Sequence, residues 1–278
     1  MSWHAELELH YRRDERGTTV LRHRHRGPLR IFKSLYPEGP AICHNVIIHP
    51  PGGLVQGDRL DIDLQLAEGA HALLSTPGAT RFYRSDSGET ATQNVKLRLE
   101  SGARLEWLPL ETIAYDGCHA RNRVELDLAP GAELLAWDLV SLGLPAAGST
   151  FGSGWLEQHW EWPGVWLERA RIDGSDRLLL ESSLGLDGQR TLATLMLACG
   201  SPLPRTRRES LLEQCRAVVE ASPLARRCGV TCPNDRMLVV RALAGQVEPL
   251  MRLWQALWAV LRREAWGLDG QAPRIWSV

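Results

Sequence analysis

One pattern recurs three times in this chain of 278 residues and limits what it can fold into. Leu60–Leu66 alternates apolar and polar residues, Ala67-Glu-Gly-Ala70 follows, and His71–Ser75 is then mostly apolar. The same grammar returns as Val95–Leu99, Glu100-Ser-Gly-Ala103 and Arg104–Leu108, and again as Val124–Leu128, Ala129-Pro-Gly-Ala132 and Glu133–Trp137. Alternation with period two marks a strand that buries one face, because successive side chains point to opposite sides. The x-x-Gly-Ala step is a tight turn in which glycine supplies a positive φ. One such strand–turn–strand unit is too small to bury its own apolar face, whereas stacked units share a continuous core. The spacing therefore predicts a mainly β, layered structure over residues 1–200, solenoid-like or sandwich-like.

The strand pattern continues through Gly154–Trp162, a Pro163-Gly164 turn, Val165–Ile172 and an Asp173-Gly174 turn, with Arg177–Leu180 as a further strand. Thr191–Cys199 is almost uniformly apolar, as expected of a strand covered on both faces. Two C-terminal helices are expected next, with a late strand, Met237–Leu243, between them. Thr206-Arg-Arg-Glu209 has the form of a capping box at the start of the first. The second carries Val247, Leu250, Met251, Trp254, Leu257, Trp258 and Leu261 as an apolar stripe and stops at Gly267. No Gly/Ser-rich linker interrupts the chain, so residues 1–278 are expected to form a single domain, with 201–278 packed on the β part.

Composition excludes several function classes. With 32 Lys+Arg against 33 Asp+Glu and a net charge of -1, the chain has no general attraction for nucleic acid or anionic membrane. No apolar run approaches the ~20 residues that span a bilayer, and the polar, acid-containing start lacks a secretory signal. A cytoplasmic protein is expected. Lys33 and Lys96 are the only lysines and neither follows a glycine loop, which excludes a Walker-type nucleotide site. Neither G-x-S-x-G nor H-E-x-x-H occurs. Cys43, Cys118, Cys199, Cys215, Cys228 and Cys232 form no C-x-x-C pair and read as free thiols.

Several clusters could carry chemistry. His49-Pro-Pro-Gly-Gly-Leu-Val-Gln-Gly-Asp58 is either a rigid loop presenting His49 and Asp58 or a shaped turn between strands. Thr76–Arg84 offers Thr80, Arg81, Tyr83 and Arg84 after a Pro-Gly turn, as an anion or partner site or as a solvated loop with Phe82 and Tyr83 in the core. Asp138 and Glu168 sit in apolar strands; a carboxylate removed from water must pair, face solvent or line an aqueous cavity. For Glu168 the neighbouring Arg169 and Arg171 suggest a salt bridge. Cys43-His44 with His49, Cys118-His119 and Cys228-x-x-x-Cys232 are too loose for a closed metal site, so no permanent metal is expected. The run Arg22-His-Arg-His-Arg26 reads as a solvated edge strand or a contact for an acidic partner. Trp155, Trp160, Trp162 and Trp166 crowd one hairpin, mostly as core, with room for a binding patch.

In motif order and spacing the chain resembles the urease accessory protein D family (UreD, or UreH). The carrying segments are HPPGGLVQGD (49–58), TPGATRFYR (76–84), LEWLPLETI (105–113), LLAWDLVSLG (134–143) followed by Gly148 and Phe151, and PRIW (273–276). Departures are few: Gln56, Arg81, Leu144 and Ser149 stand where the family usually has Gly, Lys, Arg and Glu.

The resemblance implies a non-catalytic maturation factor with a β-rich, layered fold and two helices. Such a protein binds apo-urease and recruits accessory protein F and, through it, accessory protein G, a GTPase. The assembly assists carbamylation of the urease active-site lysine and nickel insertion. The resemblance also implies an internal polar tunnel through which nickel passes transiently, without a resident cofactor. Carried across by motif, the tunnel falls on Asp58, Thr80 and Asp138, with Glu168 a weaker match. The motif loops offer His49, Gly52, Gly53, Gly57, Arg81, Tyr83, Arg274 and Trp276 as partner contacts, and the two C-terminal helices offer a surface for accessory protein F unless their apolar stripe is wholly spent on packing against the sheet. The competing reading is a carbohydrate-active enzyme on a β-solenoid, which requires a pair of carboxylates a few ångströms apart.

Overall fold

The computed structural model describes residues 2–277. The chain opens with the hairpin β1 (His4–Arg13) and β2 (Thr19–Arg26), then β3 (Arg30–Ile31) and β4 (Ile42–Ile48). β5 (Arg59–Leu66) turns into β6 (His71–Ser75), with the short β7 (Thr80–Phe82) after it. β8 (Ala91–Leu99) turns into β9 (Arg104–Leu108), followed by β10 (Thr112–Ala114), and β11 (His119–Leu128) turns into β12 (Glu133–Leu142). The rest comprises β13 (Trp155–Trp162), β14 (Trp166–Asp173), α1 (Arg177–Glu181), β15 (Thr191–Cys199), α2 (Arg205–Glu220), β16 (Cys228–Asn234), β17 (Met237–Ala244) and α3 (Val247–Trp266). No described helix is long and apolar enough to cross a membrane.

The repeated units are arches whose two strands lie in different sheets. β5, β8 and β11 are parallel neighbours in a seven-stranded sheet ordered β14-β13-β11-β8-β5-β1-β2. β6, β9 and β12 are parallel neighbours in a ten-stranded sheet whose main path runs β16-β17-β15-β12-β9-β6-β4-β3. The turns stack as the strands do. Gly69, Gly102 and Gly131 have φ of 66°, 67° and 80°, and the Gly69 N–H donates to Ser101 O of the next turn at 3.1 Å. Period-two alternation and turn chemistry thus produce a solenoid-like stack.

Two cores result. The first fills the space between the sheets with the inward phase of each strand, Leu60, Ile62, Leu64 and Leu66 of β5 meeting Leu105, Leu134 and Ala136. The second lies between the ten-stranded sheet and the helices α2 and α3. The stripe of α3 is spent there: Leu250, Leu253, Trp254, Leu257, Trp258 and Leu261 are buried, leaving only Val247 and Met251 partly accessible. Glu106 is wholly buried beneath this helix and accepts hydrogen bonds from Trp258 Nε1 at 2.6 Å, and it contacts Arg262 Nε at 3.3 Å. The outer face of the seven-stranded sheet bears charged side chains.

The structure corrects several expectations. Arg177–Glu181 is a helical turn rather than a strand, because the Asp176 carboxylate accepts the Leu179 N–H at 2.9 Å and closes it. Thr206 lies inside α2, which starts at Arg205 after Pro204 and has no capping box. The late strand is half of a hairpin: β16 pairs antiparallel with β17. Glu168 bridges Arg241 of β17 at 2.7 Å rather than Arg169 or Arg171, since it shares the inward face with Arg241. Of the hairpin tryptophans, Trp160 and Trp162 are core; Trp155 and Trp166 are half-buried under Arg171 and Arg241, 4.1 and 5.6 Å from their ring centroids.

Candidate functional site

The residues singled out from the sequence gather in three places. At the first, the 49–58 loop and the 76–84 loop face each other across a cavity of about 220 Å³. His49, Gly52, Gly53, Thr80 and Arg81 line it, with Gln93 and Trp107 on its floor. The loops are fitted together through glycine: a Cβ on Gly53 would stand 2.3 Å from Tyr83 Cε2. Leu54 N–H donates to Arg81 O at 2.7 Å, and Tyr83 N–H donates to Leu54 O at 2.9 Å. Phe82 is core, and the half-buried Tyr83 packs on Tyr115 with centroids 4.8 Å apart.

Asp58 is not a cavity residue here. It is buried, and its two carboxylate oxygens accept the backbone N–H groups of Trp3 at 2.7 Å and Val55 at 3.0 Å. It therefore closes the loop and ties it to the chain start, while its charge opposes the burial that pushes the His49 imidazole below the usual histidine range. Gly57, at φ 74°, permits the turn into it.

The second place lies between the sheets at the hairpin end. Asp138 of β12, Gln158 and Trp160 of β13, Glu168 of β14 and Thr194 of β15 line a cavity of about 40 Å³. Gln158 Nε2 donates to Asp138 Oδ2 at 2.7 Å. Desolvation pushes the Asp138 carboxyl up to about 7, the Trp160 indole opposes the shift, and the Glu168 carboxylate adds to it. Among the described residues, the buried Gln158 Oε1 has no hydrogen-bond partner, an arrangement that favours a water or a cation beside it.

A row of amides that the sequence reading missed runs between these two cavities. Gln93, Asn122 and Gln158 occupy register positions on the adjacent parallel strands β8, β11 and β13, all on the inward face. Gln93 Nε2 donates to Asn122 Oδ1 at 3.2 Å. Gln93 lines the first cavity and Gln158 the second, and Asn122 lies in register between them. The signal was present: each of the three falls on the apolar phase of its strand, where a buried polar group has to be satisfied.

The third place is the chain end. Trp276 donates Nε1–H to Ser75 Oγ at 2.9 Å and packs against Trp137 and Trp258, each 5.1 Å away. With Val247 and Met251 it lines a groove of about 420 Å³, beside Arg274 in the terminal helical turn Arg274–Ser277. The motif residues therefore do not converge on one point.

Among the described residues, one group of three close metal-ligating side chains occurs, and it involves none of the expected cysteines. His4, Glu6 and Asp61 meet on the outer face of the seven-stranded sheet, where Arg59 already donates to Asp61 at 2.8 Å. Cys43 and Cys118 are buried, with Cys118 pushed up to about 12 by burial; His44 is engaged by Glu38, and His119 by Gly88 O.

Residues 4–277 match the family model described as UreD urease accessory protein. Relatives named Urease accessory protein UreD are 56% identical in Albidiferax ferrireducens, 54% in Leptothrix cholodnii and 53% in Variovorax paradoxus, each over the whole of both chains. These relatives carry the name of an accessory protein rather than of an enzyme.

Proposed function

Because the chain belongs to the UreD urease accessory protein family, we propose that it is a maturation factor that binds apo-urease and, through accessory protein F, the GTPase accessory protein G. In that complex it assists lysine carbamylation and nickel insertion without making or breaking covalent bonds itself. The observation that carries the transport part of this reading is the inter-sheet row of Gln93, Asn122, Gln158 and Asp138, whose ends line two cavities.

A path for a divalent cation needs polar groups frequent enough to replace part of its hydration shell and too few soft ligands at any point to hold it. The row offers amide oxygens and one carboxyl whose charge is readily gained or lost near neutral pH. The free Gln158 Oε1 is the acceptor that a passing hydrated cation would meet. Thr80 stands at the loop end of this path, Glu168 at the hairpin end beside Arg241, and Asp58 acts by shaping the loop. The same features weigh against the carbohydrate-active reading: the cavity shared by Asp138 and Glu168 is about 40 Å³, whereas small-molecule sites measure roughly 300–1,000 Å³.

The test is urease activation with purified partners, comparing wild type, Asp138→Ala, Gln158→Leu and Asn122→Leu. Assembled complexes that load less nickel into urease support the reading. Full loading by all three variants would remove the inter-sheet path, and failure to bind apo-urease at all would remove the maturation role.

A further inference from the structure

The seven-stranded sheet ends in β2, an edge that no other strand pairs with along Arg22–Arg26 among the described residues. We infer that this edge docks an extended acidic segment of a partner protein, which adds as an eighth strand. The reading goes beyond the proposed maturation role and does not depend on the inter-sheet path.

Three observations carry it. First, the edge has free backbone hydrogen-bonding groups. Thr19 N–H donates outward to Pro40 O at 2.9 Å, away from β1, so by the period of two the N–H and C=O groups of Leu21, His23 and His25 also point away from β1. Beyond Thr19, no backbone partner meets them among the described residues. Second, the side chains from Arg22 to Arg26 are all exposed and all basic. Third, their charges are unspent. On the same sheet Arg59, Arg98, Arg121 and Arg123 each bridge a carboxylate, whereas Arg22, Arg24 and Arg26 form no ion pair among the described residues. Glu8 and Glu6 stand opposite Arg24 and Arg26 in register without reaching bridging distance.

The two faces of β2 differ. Arg22, Arg24 and Arg26 lie on the outer face, while His23 and His25 follow Leu9 and Leu7 on the inner face and stack with centroids 6.4 Å apart. A segment with acidic residues on alternate positions would set carboxylates beside the arginines while its backbone completes the ladder. Charges on an edge strand also serve to prevent self-pairing. That role needs one or two charges, not a continuous run on both faces. A net charge of -1 over the whole chain argues against a general polyanion surface and for a local one.

The experiment uses the full chain and a fluorescein-labelled short peptide of alternating Glu and Thr, followed by anisotropy. A Lys–Thr peptide, and a Glu–Thr peptide N-methylated at every second residue, serve as controls. We expect the Glu–Thr peptide alone to bind, and binding to weaken by about tenfold or more in the triple variant Arg22→Gln, Arg24→Gln, Arg26→Gln. His25→Pro removes one outward N–H and leaves the ladder to β1 intact, so it should weaken binding without loss of fold by circular dichroism. Equal binding of the N-methylated peptide, or equal binding of phosphatidylserine vesicles, would show a mere polyanion patch and overturn the inference. So would an absence of peptide binding together with self-association of the triple variant, which would assign the charges to edge protection alone.

Discussion

Trp258 of the last helix donates its indole N–H to the wholly buried carboxylate of Glu106 at 2.6 Å, across 152 positions of sequence. The same carboxylate accepts from His71 Nε2 at 2.9 Å and neighbours Arg262, whose Nη2 reaches Glu38 at 2.8 Å. One wholly buried glutamate, one half-buried glutamate and one buried arginine thus clamp α3 and the 32–41 loop onto the ten-stranded sheet. Breaking a buried pair on one side leaves an uncompensated charge, at a cost of about 3–5 kcal/mol. Arg262→Met is therefore expected to lower the urea midpoint sharply. Adding Glu106→Gln should recover part of the loss, because the amide still accepts from Trp258. Equal instability of the single and double variants would show that packing alone holds the helix.

Asp138 gives the fold a pH dependence of defined sign. Its carboxyl sits at about 7 in the folded chain against 3.8 when exposed, because desolvation disfavours the charged form. Between those values the folded state binds more protons than the unfolded one, so this group's contribution is most favourable below 3.8 and is lost as pH rises to about 7. Asp138→Asn is expected to raise the melting temperature by a few degrees at pH 8, on the order of 1–2 kcal/mol, and by much less at pH 5. A pH-independent difference would mean that Asp138 titrates normally.

The fit between the two loops of the first cavity is a steric prediction. Gly53→Ala places a methyl group 2.3 Å from the Tyr83 ring and 3.0 Å from Arg81 O. It should cost about 1–3 kcal/mol by thermal unfolding. Tyr83→Ala in the same chain should restore only part of this, because the backbone contact with Arg81 remains. Full rescue would place all the strain in the ring.

Trp276 is the pin of the chain end. Trp276→Ala should cost about 2 kcal/mol through lost contact with Trp137 and Trp258. Trp276→Phe should cost about 1 kcal/mol through loss of the bond to Ser75. If both variants melt with wild type, the terminal turn is a passenger on the core. Removing everything after Gly245 is a poorer probe of partner binding, since it strips the second core of Leu250, Trp254 and Trp258.

How much of this was legible beforehand depends on the range of the interaction. The arches were, because Gly69, Gly102 and Gly131 need a positive φ locally and the alternation beside them encodes a buried face over a few residues. The β2 edge was legible for the same reason: five successive basic residues leave neither face of a strand apolar, which suits an exposed sheet edge. Arg177–Glu181 was not, because a run of leucines has no period, and a single cap from Asp176 decided it. For Asp58 the loop was visible but the work of its carboxylate was not, since one of its two donors, Trp3, lies 55 positions away. Glu168 had two arginines beside it in sequence, yet its partner is Arg241, brought near by the packing of the sheets.

Local chemistry alone determined that this chain would be a stack of β arches with a helical end: turn geometry and side-chain periodicity act over a handful of residues. Only the tertiary structure decided which buried polar groups meet. The row Gln93, Asn122, Gln158 and Asp138 depends on strand register and sheet facing, as does the clamp of Glu106 on Trp258. Hydrogen bonds reach about 3 Å, so a shift of one residue in any strand would turn these groups to the opposite face and dissolve both.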